Sequence, residues 1–109
     1  MGYKVIVTPK SNDGGIDVII EKGNIRKGIQ CKRYKGKVGA PAVQQLWGAK
    51  DYFKFNNKKL KIDVVIMVAL SGVTTKAKEF INECSGYELW TIDTILSKAK
   101  EANYNYTKL

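Results

Sequence analysis

The sequence contains no histidine and few cysteines. Without histidine in 109 residues, the chain lacks both the side chain that titrates nearest neutral pH and the commonest transition-metal ligand. Its two cysteines, Cys31 and Cys84, lie in separate apolar segments with no second cysteine beside either. This spacing favours neither a disulfide nor a zinc site, so we expect two buried free thiols. Any catalysis must use carboxylate, amide and lysine side chains with a hard cation.

Long apolar runs are also missing. No run approaches the roughly 20 residues that span a bilayer, and no basic segment leads into a signal-like stretch at the N-terminus. We therefore expect a soluble, cytoplasmic protein that makes no membrane contact. A length of 109 residues with 44% hydrophobic content predicts a single domain over residues 1–109.

Acidic residues are scarce relative to basic ones. Nineteen Lys and Arg against ten Asp and Glu give a net charge of +9, which favours a polyanionic partner, although the charge can also serve solubility alone. One basic group surrounds the predicted third strand and the loop after it: Arg26, Lys27, Arg33, Lys35 and Lys37. We expect this group to bind the phosphate backbone of a nucleic acid, without reading base sequence. A second group fits a nucleic-acid contact and a solvated loop equally well: Lys54, Lys58, Lys59 and Lys61.

The periodicity of the sequence predicts an α/β fold with the order βββαβαβα. Alternating residues predict strands at 3–8, 16–22 and 27–34, and a continuous apolar run predicts a central strand at 62–70. Pro41 suits the first turn of a helix through residue 55 with a buried stripe of Val43, Leu46, Trp47 and Phe53. A helix at 74–84, a strand at 87–92 and a helix from its N-cap Asp93 complete the order. We expect a mixed sheet flanked by helices.

Two short motifs carry the candidate chemistry. In "NDGGIDVII", the acid Asp17 interrupts an apolar strand, on which Ile16 is predicted to share a face with Val18 and Ile20. In "GIQCKRY", Gln30 and Lys32 point the same way. Either motif alone is most often an ordinary turn or a solvent-facing strand. Because a short turn joins the two strands, antiparallel pairing can bring the motifs side by side.

Such a cluster has the groups that phosphodiester hydrolysis requires. Mg²⁺ binds oxygen ligands and retains several waters, so few protein ligands suffice. Asp17 can supply a carboxylate, Gln30 an amide oxygen and Cys31 a backbone carbonyl. Lys32 can orient water or stabilise developing negative charge. Gly14 and Gly15 can let the chain bend and leave room for a phosphate backbone.

The run from "GYKVIVTPKSNDGGIDVII" through "IQCKRYKGKVGAPAVQQLWGA" resembles the Mrr-type restriction endonuclease domain of the PD-(D/E)XK nuclease superfamily. The likeness extends over nearly the whole chain. It implies Asp17 as the principal metal ligand, Gln30 in place of a second acidic ligand, and Lys32 as the catalytic lysine. Asp13 matches the acid before the glycines, and Gln44, or else Gln45, matches a helix glutamine. Relatives begin with a helix before the first strand, and we expect this chain to lack it.

The resemblance implies a Mg²⁺-dependent DNA endonuclease, with Mn²⁺ expected to substitute. We expect a homodimer or higher homo-oligomer, because cutting two strands requires two sites. Two alternatives remain open. One is a non-catalytic DNA-binding or assembly module that keeps the fold, and the other is a structure-selective nuclease similar to Holliday-junction resolvases.

Overall fold

The computed structural model describes residues 4–8, 15–33 and 35–101. It confirms the predicted mixed α/β architecture and its element order, with one additional hairpin. The strands are β1 (Lys4–Val7), β2 (Val18–Lys22), β3 (Ile25–Lys32), β4 (Lys54–Phe55), β5 (Lys58–Lys59), β6 (Val64–Ala69) and β7 (Tyr87–Trp90). The helices are α1 (Ala40–Ala49), α2 (Thr75–Glu83) and α3 (Ile92–Glu101).

Five of the strands form one sheet in the order β1-β2-β3-β6-β7. The pairs β1–β2 and β2–β3 are antiparallel, whereas β3–β6 and β6–β7 are parallel. Lys22 pairs with Ile25 across a turn that includes Gly23, which has a φ of +60°. Because β3 and β6 are parallel, their carboxyl ends, Lys32 and Ala69, lie side by side at one edge of the sheet.

The core lies between this sheet and helices α1 and α2. Strand β6 contributes Val65 and Met67 to this core. Ile66 is also fully buried but faces the other side of the sheet, as expected of a central strand. From α1, Val43 and Leu46 are fully buried, and Trp47 stacks on Tyr87 with ring centroids 5.9 Å apart. Two loops are also joined, because Val38 and Val73 form a bridge next to the starts of both helices.

The first and last helices differ from the sequence-based expectation. Helix α1 ends at Ala49, so Phe53 is buried outside the helix, at the base of the β4–β5 hairpin. The prediction that Asp93 caps α3 is wrong, because the first turn bonds to Thr91. The Thr94 amide donates to Thr91 Oγ1 at 3.4 Å, and the Ile95 amide donates to the Thr91 carbonyl at 3.0 Å.

The expectation of two buried thiols is also wrong. Both cysteines are free, but Cys31 is exposed and Cys84 is only half-buried. Cys31 follows the buried Gln30 on β3, and successive residues of a strand face opposite sides of the sheet. Within the described residues, no helix is long and apolar enough to cross a membrane.

Candidate active site

The chain leaves regular strand pairing at Ile16 and Asp17, just before β2. Val18 pairs with Ile29, but the Asp17 amide donates to that same Ile29 carbonyl at 2.8 Å. Asp17 and Val18 thus both lie opposite Ile29, which is the arrangement of a β-bulge. The offset buries Ile16, which is 1% exposed, beside Gly28 on the core side of the sheet. The prediction that Ile16 shares a face with Val18 and Ile20 is therefore wrong. The regular alternation of side chains on this strand begins only after Asp17.

The bulge holds the Asp17 carboxylate against the end of β3. Its Oδ2 accepts a hydrogen bond from the Cys31 amide at 3.0 Å, and the Asp17 residue remains exposed. Toward β1, the Asp17 carbonyl accepts a hydrogen bond from the amide of Thr8, the residue after that strand, at 3.0 Å. The backbone is therefore fixed from both neighbouring strands, and the carboxylate lies beside the residue that separates Gln30 from Lys32.

Gln30 packs into a space that only glycine can leave open. It is 6% exposed, on the core side of β3. A Cβ built at Gly15 would overlap the Gln30 amide nitrogen, and Gly15 also has a φ of +77°, a conformation that favours glycine. Sequence reasoning gave this glycine the role of clearing a path for phosphate. In the structure its immediate neighbour is the Gln30 amide.

Lys32 and the Cys31 thiol lie on opposite sides of β3. Lys32 is half-buried and, by strand alternation, shares its side with Gln30. The Cys31 thiol is on the other side, where partial burial and the negative charge of Asp17 raise its pKa, while Arg33 acts in the opposite direction. The Cys31 carbonyl leaves the strand on the same side as its N–H, which points toward Asp17.

The remaining predicted catalytic residues are Asp13 and Gln44, with Gln45 as the alternative to Gln44. Asp13 and Gly14 lie outside the described residues. Gln44 and Gln45 are both exposed on α1, between the buried positions Val43 and Leu46. The structure thus brings the Asp17 carboxylate to the backbone of Cys31, the residue between Gln30 and Lys32 on β3.

The predicted DNA-binding group divides between the two ends of β3. Arg33, Lys35 and Lys37 are exposed and follow the carboxyl end. Arg26 and Lys27 lie near the amino end, about 20 Å away at 3.3 Å per residue. There Arg26 Nε contacts Glu21 Oε2 at 2.6 Å, and Lys27 Nζ contacts Glu88 Oε2 at 3.2 Å.

A depression of about 400 Å³ lies at the carboxyl ends of the parallel strands, toward the start of α2. The sequence-based prediction included one of its basic side chains, Lys37, but missed Lys78 on α2. The sequence did contain an indication of Lys78. The stretch "TTKAK" begins a helix whose first turn holds lysine and no acid, so positive charge is concentrated there. The depression is lined by Lys37, Gly72, Val73, Thr75, Lys78, Glu79, Leu89 and Thr91.

The donor set suits a hard cation better than a soft one. Carboxylate, amide and carbonyl oxygens are ligands that Mg²⁺ prefers. Within residues 4–8, 15–33 and 35–101, no three His, Cys, Asp or Glu side chains cluster as metal ligands. From the described residues, a metal here would take one carboxylate, that of Asp17, and would complete its ligands with neutral oxygens, water and the substrate phosphate. These residues fit Mg²⁺ and do not fit zinc.

Comparison with known proteins shows the family of the chain. The family model Mrr_cat, described as a restriction endonuclease, matches residues 1–98. The chain belongs to this family. Membership identifies it as a nuclease domain and confirms the resemblance drawn from the Gly-Gly-x-Asp and Gln-x-Lys motifs. No curated protein matches the chain.

Two solved structures share the fold. A repair endonuclease from Pyrococcus abyssi is 24% identical, with a TM-score of 0.57 over 84% of this chain and 38% of that one. A protein of unknown function, AF1548, is 16% identical, with a TM-score of 0.63 over 98% of this chain and 65% of that one. The chain therefore spans less than two thirds of either protein.

Proposed function

We propose that this protein is a Mg²⁺-dependent endonuclease that hydrolyses phosphodiester bonds in DNA within one domain, residues 1–109. One observation carries the proposal. The Asp17 carboxylate is held 3.0 Å from the Cys31 amide, at the residue between Gln30 and Lys32. Membership of a restriction endonuclease family supports the reaction type.

Asp17, the Gln30 amide oxygen and the Cys31 carbonyl would hold the cation. The first is an exposed carboxylate, and the third leaves β3 on the side that faces Asp17. Bound Mg²⁺ would neutralise charge on the phosphate and lower the pKa of an attacking water, and Mn²⁺ would substitute for it. Asp13 is proposed to assist at this site.

Lys32 is proposed to orient the attacking water and to stabilise negative charge that develops on the phosphate. It is suited to this because it shares a side of β3 with Gln30 and is half-buried, which limits the positions its ammonium can take. Gln44 is proposed to contribute from α1, and comparison of Gln44→Ala with Gln45→Ala would separate the two neighbouring glutamines.

The DNA backbone is proposed to pass along the carboxyl edge of the sheet. Arg33, Lys35 and Lys37 are exposed after the carboxyl end of β3, and Lys78 shares a depression with Lys37. The paired cations Arg26 and Lys27 would contribute less, because Glu21 and Glu88 already neutralise much of their charge. A homodimer would supply one site for each strand of the duplex.

The direct test is cleavage of supercoiled plasmid, linear duplex and branched junction DNA with and without Mg²⁺. We expect cleavage that EDTA abolishes and that falls by at least about 10² in Asp17→Ala and in Lys32→Ala, since removing one transition-state contact typically costs 10² to 10³. Glu83→Ala and Lys100→Ala are matched controls, because both side chains are exposed away from the site, and they should cleave normally.

The same assay separates the alternatives. Undiminished cleavage in both Asp17→Ala and Lys32→Ala would refute this assignment of the site. DNA binding without any metal-dependent product would favour the non-catalytic module. A strong preference for branched over linear DNA would favour a structure-selective, resolvase-like nuclease.

A further inference from the structure

The β4–β5 hairpin between α1 and β6 is a small and firmly anchored projection. Its turn residues, Asn56 and Asn57, have φ values of 53° and 63°, so both central positions are left-handed, as a type I′ turn requires. At its base, the Leu60 amide donates to the Phe53 carbonyl at 3.0 Å, and Phe53 is 3% exposed. The projection therefore presents its side chains in a fixed arrangement.

Half of those side chains are lysine, since the six residues 54–59 include Lys54, Lys58 and Lys59. Lys54 pairs directly with Lys59 across the hairpin, and such like-charged pairs lower stability. Among the described residues, no carboxylate lies within ion-pair distance of Lys54, Lys58 or Lys59. Lys61 contacts Asp63 at 3.7 Å, but its side chain is 86% exposed. The hairpin therefore concentrates three lysines that no carboxylate of the described residues neutralises.

A depression of about 410 Å³ lies next to the hairpin. Lys50, Lys59 and Lys61 line it together with a single acid, Asp51, which already contacts Lys50 at 2.9 Å. The depression is therefore concave and positively charged, which suits the ridge of phosphates along a DNA strand.

The hairpin and the candidate active site are at opposite ends of β3. Arg26 donates from a guanidinium nitrogen to the Lys61 carbonyl at 2.7 Å, and the Asp63 amide donates to the Arg26 carbonyl at 2.8 Å. Arg26 and Lys32 are six positions apart on β3, which corresponds to about 20 Å along the strand. That distance corresponds to about six base pairs at 3.4 Å each.

We propose that the β4–β5 hairpin is a second DNA contact that grips the phosphate backbone of the same duplex, about six or more base pairs from the bond being cut. The inference rests on the proposed DNA substrate, and it makes the nuclease sensitive to duplex length. Substrates too short to reach the hairpin would bind through the carboxyl edge of the sheet alone.

The test compares duplexes of about 8 and about 24 base pairs, the shorter of which extends only about 14 Å either side of its centre. Binding is measured by fluorescence anisotropy at a series of salt concentrations. Divalent cations are left out and every protein carries Asp17→Ala, so that the DNA is bound but not cleaved. The salt slope is the slope of the logarithm of the binding constant against the logarithm of the salt concentration. Adding Lys58→Gln and Lys59→Gln should reduce the magnitude of this slope on the longer duplex by about 1.8, which is 0.9 for each lost phosphate contact. On the shorter duplex the slope should be unchanged.

The matched control removes two charges elsewhere, with Lys98→Gln and Lys100→Gln on α3, and should leave the slope unchanged on both duplexes. An equal loss from the control pair, an equal loss on both duplex lengths, or no loss at all would overturn the proposal. Because this binding assay needs no cleavage, failure of the proposed endonuclease activity would show separately, in the plasmid assay.

Discussion

The two ends of strand β3 carry similar residue types in different settings. Near the amino end, Arg26 contacts Glu21 at 2.6 Å and Lys27 contacts Glu88 at 3.2 Å, all with partly buried side chains. At the carboxyl end, the Asp17 carboxylate is exposed and accepts its hydrogen bond from the Cys31 backbone amide.

This difference separates a structural use of charge from a chemical one. Opposite charges in contact largely cancel each other's field, so the amino-end pairs help to align neighbouring strands but attract DNA weakly. A carboxylate held by a backbone amide keeps its full negative charge. The Asp17 carboxylate is therefore held in place and can still bind a cation, and a metal ligand needs both properties.

The largest expected contrast compares two glycines in left-handed conformations. Gly15→Ala should place its methyl on the Gln30 amide and reduce cleavage by about 10² or more, the scale of losing one catalytic contact. Gly23, with a φ of +60°, has no atom within 4 Å of an added Cβ. Gly23→Ala should retain cleavage. The measurement is Mg²⁺-dependent plasmid cleavage.

Stability is the control for that comparison. Both substitutions force alanine into a positive φ and should lower the free energy of unfolding by about 1 kcal/mol or more, measured by urea denaturation. Equal cleavage by the two folded variants would contradict the role given to the Gly15–Gln30 contact.

A smaller effect is expected from adding charge at the carboxyl end. With one carboxylate and neutral oxygens as ligands, the free protein should bind metal weakly. Gln30→Glu should strengthen Mn²⁺ binding about tenfold, equivalent to about 1.4 kcal/mol, measured by calorimetry without DNA. Asn82→Asp adds the same charge on the exposed part of α2 and should have no effect. Tight Mn²⁺ binding by the unmodified protein would also contradict the proposed ligand set.

The smallest expected effect is at the amino end. Burial alone would raise the pKa of Glu88, but hydrogen bonds from Trp90 and Lys27 and the nearby Lys98 outweigh it, so the pKa is lowered. A lowered pKa stabilises the fold above the unfolded value near 4.5 and loses that stabilisation as pH falls through the folded value. Because Glu88 is about one third exposed, Glu88→Gln should cost at most about 1 kcal/mol at pH 7.

The check on this prediction is urea denaturation of both proteins as a function of pH. The difference in unfolding free energy should be present at neutral pH and shrink toward zero below about pH 4. Plasmid cleavage should be unaffected by Glu88→Gln. A difference that grows as the pH falls would contradict the stated direction of the pKa.

Much of the fold was predictable because its elements have strong periodic patterns. The apolar run of β6 and the alternation of β3 identified the central strands, and the Gly-Gly-x-Asp and Gln-x-Lys motifs identified the family. The β4–β5 hairpin was missed, because two-residue strands are too short for alternation to register. Its one local signal was Asn56-Asn57, residues that tolerate a left-handed turn.

The site was only partly predictable, since its geometry depends on an irregularity. Strict alternation put Ile16 on the wrong face, because a bulge has no reliable signature in a single sequence. The neutralisation of Arg26 and Lys27 also depends on tertiary contacts. Glu88 is 61 residues from Lys27 along the chain, a separation that a pattern search cannot bridge.

The most direct test of the central claim is a crystal structure of the protein with duplex DNA and Mn²⁺, read by anomalous scattering. The account predicts a Mn²⁺ peak about 2.2 Å from the Asp17 carboxylate, within reach of Gln30 and the Cys31 carbonyl and in contact with a phosphate. The same peak should be missing from crystals of Asp17→Ala. A Mn²⁺ ion bound elsewhere with Asp17 unligated, or an unchanged peak in Asp17→Ala, would contradict the account.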